Sequence, residues 1–120
     1  MEEKISVEIT GGGGGAIVAF RPTSISDTEE IAAASKQIEG FIEKNHPKRI
    51  VFDFERVKFF SSQLLGLLLE IRTKLLSYNG DVVISAINPR LQKVFEVTNL
   101  DKVFKFFPDK KRALGAAGMG

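Results

Sequence analysis

Beyond its first twenty residues the chain alternates between short β-forming apolar runs and segments whose apolar residues recur at helical spacing. That alternation constrains the fold most, because strands joined through helices pair in parallel and need helices to cover the sheet. The predicted fold class is α/β, a single-domain, open, mixed and mostly parallel sheet with helices packed on it. Two adjacent strands open the series. Ile5, Val7 and Ile9 alternate with Ser6 and Glu8, a period-two pattern that predicts a half-buried strand ending near Thr10. Residues 11–15 are all glycine and read as a flexible hairpin connection, which makes the first strand antiparallel. The continuous apolar run 16–20 then fits a strand covered on both faces.

Pro22 and the pair Thr23 and Ser24 break that run, and Ser26 followed three residues on by Glu29 has the spacing of a capping box. A first helix is predicted from about Asp27, with Ile31, Ala34, Ile38, Phe41 and Ile42 on its apolar face. Asn45, His46 and Pro47 stop it, His46 serving as a C-terminal cap, and residues 50–54 form a central strand. Residues 57–60 read as an apolar connection. A second and more buried helix spans 63–77, where Leu64, Leu65, Leu68, Ile71, Leu75 and Leu76 make a wide apolar face. After a turn at Asn79 and Gly80, residues 82–84 are a buried strand, and Asn88 followed by Pro89 predicts the start of a third helix to about Val97. Residues 103–106 read as a last strand, and Pro108 with Asp109 as the start of a short terminal helix.

The chain of 120 residues is one domain, with residues 115–120 a frayed small-residue tail. At 43% hydrophobic and 27% charged residues it can bury a core. A formal charge of +2, from 17 basic and 15 acidic side chains, predicts no nucleic-acid groove and no polybasic membrane patch. The absence of cysteine excludes disulfides, thiolate metal sites and cysteine catalysis, and is compatible with a reducing compartment. The longest apolar block, 64–69, is interrupted by glycine and falls far below the ~20 residues of a membrane span, so a soluble, cytoplasmic protein is expected. With His46 as the one histidine, no metal site and no cofactor are expected.

Gly11, Gly13 and Ala16 match the spacing of a dinucleotide fingerprint, but that motif must open a helix and here a strand follows. Asp53 and Glu55 are a carboxylate pair without a third ligand and read as solvated charges. They cluster with Ser61 and Ser62 near strand ends, and His46 is the single candidate for an imidazole acid–base role, but no nucleophile motif supports a catalytic site, so no enzyme and no catalytic residue is expected. Ser61 and Ser62 carry the functional signal. A serine before a helix accepts a backbone N–H bond worth about 0.5–2 kcal/mol, which needs only one of them. The same helix terminus favours a bound or covalent phosphate.

From about Lys4 to Leu114 the chain resembles the anti-sigma factor antagonist (STAS domain) family. Ser62, Leu65 and Gly66 in the segment 57–66 match the family's run Asp-Ser-Ser-Gly-Leu-Gly, with Ser61, Gln63 and Leu64 at the other three places. Ser85, Asn88 and Pro89, followed by Val94, Phe95, Thr98, Asn99 and Leu100, are similar to its later strand, turn and helix. The resemblance implies a STAS-like fold and an anti-sigma factor antagonist that switches partners. Its unphosphorylated form would bind an anti-sigma factor with serine kinase activity, phosphorylation at Ser62 (second choice Ser61) would end that complex, and a serine phosphatase would restore it. ATP would belong to the kinase. The expected partner surface comprises Thr23, Ser24, Ser26, Lys58, Phe60, Ser61, Ser62, Gln63, Leu67, Glu70 and Lys74, with room for a weak homodimer. The alternative is a constitutive scaffold subunit of a stress-sensing or transport complex.

Overall fold

The computed structural model describes residues 7–12 and 14–115. The start of the first predicted strand at Ile5, the fingerprint glycine Gly13 and the tail 116–120 lie outside them. Strands β1 (Val7–Gly11) and β2 (Ala16–Phe20) form an antiparallel hairpin, and Gly11 at its turn has φ +111°, where a Cβ would lie 2.4 Å from the Gly15 carbonyl oxygen. Only glycine fits there without strain. A strand on each side of the glycine run removes the helix that a dinucleotide site requires.

Strands β4 (Arg49–Asp53), β6 (Asp81–Ser85) and β7 (Lys105–Phe107) add in parallel to β2, giving the order β1-β2-β4-β6-β7. A separate parallel pair, β3 (Ser24–Ile25) and β5 (Phe59–Phe60), stands beside this sheet. Helices α1 (Thr28–Asn45), α2 (Ser62–Leu76) and α3 (Pro89–Val97) contribute to the main core with Val18, Phe20, Ile50, Phe52 and Ile84. A short α4 (Lys110–Gly115), which takes in Gly115 of the expected tail, covers the other face over Val51 and Val83. The alternation along β4 therefore feeds two cores, which explains its continuous apolar character. Among the described residues, no helix is long and apolar enough to cross a membrane.

Three local expectations change. Asp27, rather than Ser26, caps α1: its Oδ1 accepts the amides of Glu29 (2.8 Å) and Glu30 (3.3 Å), because a carboxylate one residue later reaches the same free N–H groups. His46 caps the other end through its backbone, adopting φ 43° and donating its amide to Ile42 O at 2.8 Å. The last strand begins at Lys105, since Val103 still closes a 3-10 turn over Leu100–Lys102 and Phe104 packs inward.

Candidate functional site

The parallel β3–β5 pair fixes the approach to α2. The amides of Lys58 and Phe59 both donate to the Thr23 carbonyl (2.7 and 3.1 Å), and that of Ser61 to Ile25 O (2.9 Å). From the far side Asn88 Nδ2 donates to Val57 O (3.3 Å), while Asn88 Oδ1 accepts the Leu91 amide (2.9 Å) and so caps α3. One asparagine thus starts a helix and anchors the loop that delivers the two serines.

At the head of α2 those serines differ sharply. Ser61 is the N-cap residue in extended conformation (φ −85°, ψ 165°), yet its side chain makes no capping bond and its Oγ is buried without a hydrogen-bond partner. The expected capping bond is absent. Ser62 is the first helical residue and is exposed, as are Gly66 and Glu70, each four residues further along the same face. The first turn of α2 contains no acidic residue of its own, which leaves the positive end of its dipole without an intrahelical carboxylate.

Thr23, Ser24, Ser26, Lys58, Gln63 and Glu70 are exposed around this helix start. Gln63 Oε1 accepts a bond from Thr28 Oγ1 (3.0 Å), which ties the first turns of α1 and α2 together. Three expected contact residues behave otherwise. Phe60 is only 7% exposed and its ring meets Phe54 and Phe95 edge-on at 5.8 and 6.0 Å, so strand alternation turns it into the core. Leu67 is 4% exposed, because the buried face of α2 is wider than its leading heptad positions suggest. Lys74 is half-buried. Phe59, which the expected surface leaves out, is a large apolar side chain 54% exposed beside this helix start.

A cleft of about 580 Å³ runs between α1 and α2, lined by Thr28, Ile31, Ser35, Gln63, Gly66 and Glu70 among others. Gly66 lies there in helical backbone, and a Cβ built on it meets nothing within 4 Å. A helical glycine in such space costs about 0.5–1 kcal/mol against alanine.

Asp53 is 5% exposed at the end of β4, not a solvated charge. Its Oδ1 accepts from the Glu55 amide (3.2 Å) and from Ser85 Oγ (3.5 Å), and Lys110 Nζ approaches Oδ2 to 3.8 Å. It thereby closes the end of β4 and faces the first turn of α4, while Glu55 points to solvent. Among the described residues no group of three or more His, Cys, Asp or Glu side chains is placed to hold a metal ion.

A family model described as STAS domain matches residues 5–113. Of solved structures, the anti-sigma factor antagonist SpoIIAA in its unphosphorylated form is similar with a TM-score of 0.82 at 18% identity, over 95% of this chain and 98% of that one. The Bacillus cell fate determinant SpoIIAA in the phosphorylated form gives 0.72 at 18% identity, over 92% and 97%. A sulfate transporter family protein from Wolinella succinogenes gives 0.71 at 18% identity, over 88% and 86%.

Proposed function

Because this chain belongs to the STAS domain family, we propose that it acts as an anti-sigma factor antagonist whose binding is switched by phosphorylation of Ser62. The unmodified form binds an anti-sigma factor with serine kinase activity. That partner transfers the γ-phosphoryl group of its own ATP to Ser62 Oγ: the new P–O bond forms as the bond to ADP breaks, and the hydroxyl proton passes to a base on the kinase. A serine phosphatase hydrolyses the ester and resets the switch. The protein itself serves as substrate and ligand, not as catalyst.

The observation that carries this reading is the contrast at the head of α2, where Ser62 is exposed and the Ser61 hydroxyl is buried. A kinase reaches the first and not the second. A phosphate at Ser62 adds about −1.5 to −2 charges where the helix dipole and the absence of first-turn carboxylates favour them. The fold is therefore retained while the face around Ser62 becomes anionic, and a partner docked there loses contact by desolvation and charge. That SpoIIAA exists in phosphorylated and unphosphorylated forms supports the same cycle.

A second reading, favoured by the likeness to a sulfate transporter family protein, is a constitutive scaffold subunit. Incubation with a purified anti-sigma factor serine kinase and ATP decides between them. Tryptic cleavage after Lys58 and Arg72 yields both serines in one peptide, and phosphate on Ser62 with loss of the complex is the expected result. An unmodified peptide in the presence of demonstrably active kinase overturns the switch and leaves the scaffold.

A further inference from the structure

One charged side chain of the interior has no part in the switch. Asp53 ends β4 on the face that α4 covers, only 5% exposed, and it lines a cleft of about 470 Å³ at the carboxyl ends of β2 and β4. That edge of a parallel sheet is where open α/β folds hold their ligands. Hydrogen bonds reach just one of its oxygens. Oδ1 accepts from the Glu55 amide and the Ser85 hydroxyl, whereas the cation nearest Oδ2, Lys110 Nζ, stands 3.8 Å away, beyond hydrogen-bond distance. A carboxylate oxygen so placed favours any donor that comes closer.

The walls of the cleft select the donor. Three carboxylates (Glu8, Asp53 and Glu55) stand against three cations, Arg56 and Lys110 in the lining and Arg21, which approaches Glu8 to 3.8 Å. The charges cancel, so the cleft draws neither a simple anion nor a simple cation, and among the described residues no carboxylate group is placed to hold a metal ion. A neutral molecule that carries both charges fits it. The α-ammonium nitrogen and the α-carboxylate oxygen of an amino acid lie about 3 Å apart by standard backbone lengths. Set antiparallel to the Asp53–Lys110 pair, they place a charge-assisted hydrogen bond on Oδ2 and another on Nζ at once.

We infer that this cleft binds a free α-amino acid, its ammonium on Asp53 and its carboxylate on Lys110, with Glu8, Glu55 and Arg56 left to receive a polar side chain. The site stands apart from the partner-switching reading, since none of these residues belongs to α2. Glu55 and Arg56 do open the loop that continues to Ser61 and Ser62, so an occupied cleft adjoins the segment that the switch uses.

The test is a titration of the full chain with L-glutamine and with L-arginine, followed by the backbone amide resonances of residues 53–56 and 110. Saturation with a Kd of about 1 mM is expected for at least one of them. N-acetyl-L-glutamine, which lacks the ammonium, and agmatine, which lacks the carboxylate, should each bind about tenfold more weakly than the parent amino acid or not at all. Asp53→Asn should weaken binding by a similar factor. Lys110→Met keeps the test open if the buried change unfolds the chain, because the Lys110 side chain is 52% exposed, and it should cost the same factor. Lys105→Met, on β7 outside the lining, should bind as wild type does. No saturation by either amino acid overturns the inference. So does equal binding of the one-charged analogues, an unchanged Kd in Lys110→Met, or saturation by glucose or magnesium chloride instead.

Discussion

Ser61 and Ser62 share a side chain and differ in everything around it. The buried Ser61 Oγ has no partner, so removing it discards an unsatisfied polar group. Ser61→Ala should therefore be neutral or stabilising by up to ~1 kcal/mol in urea unfolding, against the loss of ~1 kcal/mol that a working serine cap would show. Phe59 and Phe60 form a second pair of neighbours with opposite fates. Phe60→Ala should cost ~3–5 kcal/mol of stability, as core aromatics do. Phe59→Ala should leave stability within ~0.5 kcal/mol and weaken kinase binding about tenfold, read by urea unfolding and by titration. The head of α2 was legible from sequence because a serine pair before an apolar helix is a strong local pattern. The inward turn of Phe60 was not, since two residues give no period and the register of β5 comes from Thr23 and Ile25, far away in the chain. The burial of Leu67 escapes the sequence pattern for a related reason. The apolar face of α2 is wide, and width alone does not say where among its leucines the face ends.

Elements joined by polar side chains are the part that periodicity does not reach. Arg49, 7% exposed, donates to both carboxylate oxygens of Asp81 (2.8 and 2.7 Å) and to the Ala113 carbonyl of α4 (2.8 Å), and its guanidinium lies 5.8 Å from the Phe107 ring centroid. One side chain thus links β4, β6, β7 and α4. The two partners are not equivalent, because the Asp81 side chain is 48% exposed. Asp81→Ala strands a buried cation and should cost ~3 kcal/mol, whereas Arg49→Met leaves one carboxylate in water and the Ala113 carbonyl unpaired and should cost ~2 kcal/mol, both by urea unfolding. Tyr78 closes the α2–β6 turn by donating its hydroxyl to Pro47 O at 2.8 Å, and burial pushes its phenol above the ordinary value of 10.0. The folded state then holds that proton more tightly than the unfolded chain. Its contribution is complete below pH 10.0 and declines as pH rises through the folded value, a slope that Tyr78→Phe should abolish in alkaline unfolding curves.

For the molecule as a whole, a switch that acts on binding leaves the fold alone. Stoichiometric phosphorylation of Ser62 should change the unfolding midpoint by no more than ~2 °C while abolishing the kinase complex, since the phosphate lies at a helix terminus that favours it. A drop of ten degrees would instead mean that phosphate unfolds the site. The antiparallel hairpin β1–β2 is the one local pairing in the five-stranded sheet; β4 and β6 each pair across a helix. Such non-local pairings make folding slower than local ones. Asn88, which anchors the Val57 carbonyl, is made after every strand but β7. During synthesis the serine loop therefore leaves the ribosome well before the residue that fixes its shape. A partner that reads the shape of that loop is accordingly expected to engage completed chains and pass over nascent ones.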